Sequence, residues 1–276
     1  MIDKKKINEK SSIKNESKTL YIPLYGKAYV SRLGLFLTDG MAQKIWDSEG
    51  FRLKGKSKSK WLAYYMGIRA AVFDDFLRCE LSPAPSVTVV HLGCGMDSRV
   101  LRVGDHGGRW YDVDFPEVIS ERGRYFSENE NYKMISADLC RLDWISEIGE
   151  RGKAIVVMEG VSMYLPTEKL RDLLSALCAH FSEMRVLFDA YSCFAAKMSK
   201  YKNPVNDVGV RSLYGLDDPT LILSDGLSFV GERDMTPASY VNELRGAEKW
   251  VFRHLYAGKF ARGLYKLYEY EKSGKK

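Results

Sequence analysis

A run of β-branched residues, Val87-Thr88-Val89-Val90, leads straight into the segment His91-Leu92-Gly93-Cys94-Gly95-Met96-Asp97-Ser98-Arg99. An apolar run without alternation belongs in a strand covered on both faces, the environment of a parallel sheet. Parallel strands in turn require crossover connections, usually helices, to bring the chain back to the same end of the sheet. The sequence downstream has that rhythm. It predicts a second strand near Arg109–Val113, a helix from Pro116 to about Ser127, and a third strand over Tyr132–Ser136. A fourth apolar run at Ala154–Met158 is followed by a long helix, Thr167–Phe181, and a fifth strand, Val186–Ala190. Such alternation reads as an α/β fold with helices on both sheet faces. Leu227–Arg233 and Gly263–Tyr270 are two further strand candidates, the latter with a weaker alternation suited to an edge or antiparallel position.

Before the first strand the pattern is helical. Trp61, Tyr65, Ile68, Val72 and Phe76 fall on one face of a helix that should end near Cys79, ahead of Ser82-Pro83-Ala84-Pro85-Ser86. Residues 1–18 are too polar to offset the entropy of ordering and read as a disordered basic arm. The remainder, 19–276, reads as a single domain with a helical cap over 19–82 and a core over 86–276. Lysines at 54, 56, 58 and 60 mark an exposed loop. With 42 Lys+Arg against 36 Asp+Glu the net charge is +6, but the excess sits on the arm, this loop and the C-terminal tail. Charge so placed is solvated, and no nucleic-acid partner is expected. Five cysteines without a CxxC pair suggest reduced thiols and a cytoplasmic protein. No apolar run reaches the roughly 18 residues of a membrane span.

The glycine turn gives the first functional reading. In open α/β sheets ligands bind beyond the carboxyl ends of the strands, often at the first strand-to-helix turn. Gly93 and Gly95 let a ligand approach the backbone, and Asp114, nineteen residues after Gly95, stands where an acid accepts hydrogen bonds from ribose hydroxyls. A dinucleotide fingerprint wants glycine or alanine where Ser98 stands, which favours S-adenosylmethionine over a nicotinamide dinucleotide. The competing structural reading makes Asp114 the N-cap of the Pro116 helix. The histidines at 91, 106, 180 and 254 have no neighbouring acid at convincing spacing, and no cluster has metal-ligand spacing.

Several separated segments carry a family resemblance. They are Thr19–Ala28, Arg69 in Gly67-Ile68-Arg69-Ala70, Leu92–Arg99, Asp112–Val118, Ala137-Asp138-Leu139 and Met158–Pro166. In this order they resemble the class I S-adenosylmethionine-dependent methyltransferases of the leucine carboxyl methyltransferase type, in particular a bacterial branch, over about Thr19 to Glu271. The resemblance implies a Rossmann-like, mostly parallel seven-stranded sheet with an antiparallel last strand, N-terminal helices and an inserted lid. That lid is a variable insertion at about 193–225 that shapes the acceptor pocket. It also implies roles for individual residues. Arg69 and Lys27 would face the cofactor carboxylate, Glu159 its amino group and Asp114 the ribose. Gly93 and Gly95 would line the cofactor, Asp138 and Leu139 would hold the adenine, and Tyr164 would face the methyl-transfer site. Where the family commonly has Thr, this chain has Ser98, which keeps the hydroxyl. The expected activity is O-methylation of a small-molecule carboxylate or phenol, with a protein C-terminal carboxyl methyltransferase or a non-catalytic cofactor-binding protein as alternatives. No membrane partner is expected, and the sequence gives no oligomeric state.

Overall fold

The computed structural model describes residues 20–50, 53, 55–82, 86–104, 107–202 and 213–274. The arm expected at 1–18, His106, and residues 203–212 of the expected insertion lie outside them. Seven strands form one sheet: β1 (Thr88–Leu92), β2 (Trp110–Asp114), β3 (Tyr132–Ser136), β4 (Lys153–Met158), β5 (Glu183–Tyr191), β6 (Ser228–Arg233) and β7 (Tyr265–Lys272). Their order is β3-β2-β1-β4-β5-β7-β6. The first five pair in parallel, whereas β7 runs antiparallel to both β5 and β6.

All five residues of β1 are buried, as its unalternating sequence requires. Successive side chains of a strand point to opposite faces, so the sheet feeds two cores. Val89, Ile155, Val157, Leu187 and Leu267 pack on one face, with Ile68, Val72, Phe73 and Phe76. Val90, Leu92, Val156, Met158, Val186 and Phe188 pack on the other, with Leu170, Leu173, Leu174 and Leu177. The first set of helical partners lies on α3 (Lys60–Leu81), the helix anticipated from Trp61 onward; the second lies on α6 (Thr167–His180). α3 packs closely on α1 (Tyr21–Arg32) through two glycines. A Cβ at Gly26 would sit 2.6 Å from the Met66 Cβ, and one at Gly67 would sit 2.7 Å from Val30 Cγ2. α2 (Gly40–Glu49), capped by Asp39 accepting from the Ala42 N–H, completes the helical N-terminal region.

β7 takes the antiparallel one of the two positions its alternation suited, and β6, alternating exposed and half-buried along its outer side, is the edge. Two expectations are corrected. The Pro116 helix, α5, stops at Arg122 rather than near Ser127. There the chain turns so that the Phe126 ring covers the buried Arg122 guanidinium, 4.0 Å from its centroid. The lysine-rich segment is not simply an exposed loop, because Gly55–Lys58 forms a 3₁₀ turn that buries Ser57 and Lys60 opens α3.

Candidate active site

Strand register sets the carboxyl edge of the sheet in line. Leu92 pairs with Met158 on one side and Val113 on the other, and Asp114 pairs with Ser136. The residues just beyond therefore come from neighbouring strand ends: Gly93 after β1, Asp114 closing β2, Asp138 after β3, and Glu159 and Gly160 after β4. At Gly93 the backbone is left-handed, φ +63°, and a Cβ there would lie 2.2 Å from Val161 Cγ2. Gly95, φ +51°, faces Leu20 just before α1, and a Cβ there would lie 3.5 Å from the Leu20 Cβ, in ordinary contact.

Asp114 closes the glycine turn from beneath. Its Oδ2 accepts from the Gly95 N–H at 2.7 Å and its Oδ1 from the Phe115 N–H at 2.8 Å. The N-cap position of α5 is Phe115, with no side-chain cap, so Asp114 does not cap that helix. Burial pushes its carboxyl up to about 6, against the pull of the two N–H donors. The Ala137 N–H donates to the Asp114 carbonyl at 2.8 Å, which ties the Asp138–Leu139 segment to the same edge. Asp138 is half-buried and accepts from the Cys140 N–H, while Leu139 is buried beside it.

A buried ionic cluster flanks this loop. Arg69, from the middle of α3, donates Nε to Glu159 Oε1 at 3.0 Å and Nη1 to Asp189 Oδ2 at 3.0 Å and to the Tyr265 hydroxyl at 2.6 Å. Its Nη2 has no partner among the described residues, and it lies against Gly160. A Cβ at Gly160 (φ +72°) would approach both Nη atoms to 3.2 Å. The other Glu159 oxygen accepts from Arg99. Lys27 on α1 pairs with Asp97 Oδ2 at 3.0 Å, and Arg102, on α4 (Arg99–Val103), joins Asp39, Asp74 and Asp97 at 2.6–2.7 Å. Burial alone would raise these acids. The surrounding cations win instead: Arg69 and Arg99 hold Glu159 down at about 2, and Arg102, Arg99 and Lys27 hold Asp97 well below the usual carboxylate range. Tyr164 ends a 3₁₀ turn, Ser162–Tyr164, that follows β4, and its half-buried ring packs against the α3-side core.

Residues 16–178 match the sequence profile of the leucine carboxyl methyltransferase family, which is more than half of the chain. The chain belongs to that family. As a family member it is a methyltransferase that uses S-adenosylmethionine as methyl donor. It is 31% identical over 186 residues to the tetracenomycin polyketide synthesis O-methyltransferase TcmP of Streptomyces glaucescens, spanning 66% of this chain and 69% of that one. It is 29% identical over 182 residues to the S-adenosyl-L-methionine-dependent methyltransferase dpfgK of Gibberella zeae, spanning 59% of this chain and 60% of that one. An S-adenosylmethionine-dependent methyltransferase from Mesorhizobium loti shares the fold, with a TM-score of 0.51 at 12% identity over 72% of this chain and 96% of that one. Among the described residues no helix is long and apolar enough to cross a membrane, and no group of His, Cys, Asp and Glu could hold a metal ion.

In this methyltransferase the structure brings Lys27, Arg69, Gly93, Gly95, Asp114, Asp138, Leu139 and Glu159 to one edge of the sheet. Sequence reasoning missed Asp97, Arg99 and Arg102, although the first two lie inside the quoted glycine segment. Asp189, a lone carboxylate within an apolar strand, and Gly160 were further signals of the same kind. The expectation that the histidines are structural or exposed rather than catalytic is met by His91 through a contact that sequence spacing does not show. His91 has an acid partner, Asp112 at 3.2 Å, brought from 21 residues away by β1–β2 pairing. Both residues are buried in the sheet beneath the loop, which makes the pair structural.

Proposed function

We propose that this methyltransferase is an O-methyltransferase whose cofactor lies across the carboxyl edge of β1, β2 and β4 and whose acceptor is a small molecule carrying a carboxylate or phenol. The observation that carries the cofactor placement is the Arg69 guanidinium, fixed on Nε and Nη1 and left with Nη2 against the side-chain-free Gly160. A guanidinium edge so held suits a carboxylate. Lys27 would add a second cation, Glu159 a negative charge for the ammonium, Asp114 an acceptor for the ribose, and Asp138 with Leu139 a seat for the adenine. S-adenosylmethionine supplies an electrophilic methyl group on a sulfonium. The chain's part is to hold that group and an acceptor oxygen in line and to exclude water, which accounts for much of the rate in such reactions. A carboxylate acceptor is already ionised at neutral pH and needs no base, whereas a phenol needs activation. The name of the Streptomyces relative favours a secondary-metabolite acceptor.

The segment 193–225 is proposed as the lid over that acceptor, and 19–82 as a cap that supplies Lys27 and Arg69 to a single domain. Supporting this, the Tyr214 N–H donates to the Met163 carbonyl at 2.8 Å, joining the segment to the turn that bears Tyr164. Phe194 and Met198, one turn apart on α7 (Cys193–Lys202), and Tyr214 expose apolar surface suited to an apolar acceptor. Incubation with methyl-labelled cofactor and a metabolite extract should label a low-mass product. Base-labile label on polypeptide alone would point to protein carboxyl methylation instead, and binding without turnover over an acceptor panel to a non-catalytic protein. Tyr164→Phe is expected to leave cofactor affinity within about two-fold and lower kcat by about ten-fold or more. A weakened cofactor with unchanged kcat would place Tyr164 in the wrong half of the site.

The raised Asp114 makes cofactor binding sensitive to acid. Its carboxylate is the acceptor for ribose hydroxyls, so binding is favoured above about 6 and lost as pH falls through that value. Between pH 7.5 and pH 5 the affinity should drop about ten-fold. Asp114→Asn should bind more weakly at neutral pH and show a flat profile in calorimetry. The same shift is a stability statement with the opposite slope. The folded carboxyl sits above its ordinary 3.8, so its burial opposes folding at neutral pH and ceases to do so as pH falls from about 6 toward 4.

A further inference from the structure

Arg69 and Glu159 meet because two separate elements converge, but the guanidinium is oriented by a third partner that no role above explains. Asp189, completely buried near the end of β5, accepts from the Gly160 N–H through Oδ1 at 2.7 Å and from Arg69 Nη1 through Oδ2 at 3.0 Å. Tyr265, the first residue of β7, places its hydroxyl between the two charges: it accepts from Arg69 Nη1 and donates to Asp189. The Tyr265 ring is itself fixed, stacked on Tyr65 of α3 at 6.0 Å and edge-on to Tyr191 at 4.7 Å. One carboxylate therefore holds both the Arg69 side chain and the Gly160 backbone that it lies against. The tyrosine hydroxyl stops the guanidinium from swinging about its Cδ–Nε bond.

We propose that Asp189 and Tyr265 are positioning residues that aim Arg69 Nη2 at the carboxylate of the bound cofactor. The proposal rests on the assignment of Arg69 to that carboxylate. Its geometric basis is that every other nitrogen of the guanidinium is already committed: Nε to Glu159, and Nη1 to the Asp189–Tyr265 pair. Nothing in the family pairing of Arg69 with a ligand requires a tyrosine from the last strand. That strand's antiparallel return brings its first residue opposite Tyr191, beside the Arg69 site. A phenylalanine would keep the stacking and lose only the hydroxyl, so Tyr265→Phe isolates the positioning role from packing.

The test compares S-adenosylmethionine with decarboxylated S-adenosylmethionine, which keeps the amine and lacks the carboxylate, by calorimetry. The wild-type chain should prefer the carboxylate-bearing form. In Tyr265→Phe that preference should fall about ten-fold, through weaker S-adenosylmethionine binding, with affinity for the decarboxylated form unchanged within about two-fold. Asp189→Asn, which can keep the Gly160 bond but presents an amide to Arg69, should lose at least as much preference. A purely structural hydroxyl would weaken both ligands alike or neither, and either result overturns the proposal. Arg69→Lys separates the two levels. If it leaves the preference intact, the assignment of Arg69 itself is wrong; if it abolishes the preference while Tyr265→Phe does not, only the positioning role fails.

Discussion

Replacing Arg69 by alanine is expected to cost the fold about 3–5 kcal/mol, as removal of one partner from a buried ion pair typically does. The side chain is 4% exposed, and its loss strands two carboxylates, Glu159 and Asp189, that are equally hidden from water. Glu159 would retain Arg99, but Asp189 would keep only the Gly160 N–H and the Tyr265 hydroxyl. Asp189 is already raised by burial and restrained by Arg69, so in the variant it should take up a proton more readily. The sign follows: a carboxyl whose folded-state value rises opposes folding at neutral pH, and this cost fades as pH is lowered through that value. Urea unfolding at pH 7.5 and pH 5 should therefore show a large deficit at the higher pH and a smaller one at the lower. A loss below about 1 kcal/mol at pH 7.5, the scale of an exposed pair, would contradict the buried geometry. The folded fraction should bind S-adenosylmethionine at least about ten-fold more weakly.

Gly93→Ala has the second-largest expected effect, and two causes contribute. An L-residue at φ +63° pays about 1–2 kcal/mol for the left-handed backbone. The new Cβ must also displace Val161, whose Cγ2 it would meet at 2.2 Å. Overpacking of that kind adds about 1–3 kcal/mol. Because Val161 leads directly into the turn that bears Tyr164, the displacement should reach the acceptor side as well as the cofactor loop. Gly50→Ala supplies the comparison: its backbone is left-handed too, φ +62°, yet nothing lies within 4 Å of its Cβ, so only the backbone strain applies. The double variant Gly93→Ala with Val161→Ala should recover part of the stability and of the cofactor affinity, since contacting sites are not additive. Equal costs for Gly93→Ala and Gly50→Ala, with no recovery in the double variant, would remove the packing argument.

What could be read from the residues depended on how local the cause was. The five parallel strands were legible because an apolar run bounded by turn residues states its own burial, and β3 was found over its observed span, Tyr132–Ser136. α5 was overextended because its end is set by Arg122 reaching across to Asp112 and the Gly95 carbonyl, contacts made by other elements. The place of β7 inside the sheet was hidden for the same reason, since only the return of β6 along its outer side covers it. At the site, Gly93, Gly95 and Asp114 were legible from spacing, because one strand–turn–strand unit generates them. The ionic cluster was not. Arg69 lies 90 residues from Glu159, 120 from Asp189 and 196 from Tyr265, and no local pattern encodes such meetings. The overall +6 says nothing of this edge: the arm, the lysine segment and the tail carry the positive excess, while the edge of the sheet gathers Asp97, Asp114, Asp138, Glu159 and Asp189 together with Lys27, Arg69, Arg99 and Arg102.

The most direct measurement is a calorimetric titration of S-adenosylhomocysteine at pH 7.5 into the wild-type chain and into Asp114→Asn. Saturation with one site per chain, weakened about ten-fold or more in the variant, is the expected result, because the amide removes the charged acceptor that closes the glycine turn. Equal affinities in the two proteins would contradict the placement of the cofactor at the carboxyl edge of β1, β2 and β4.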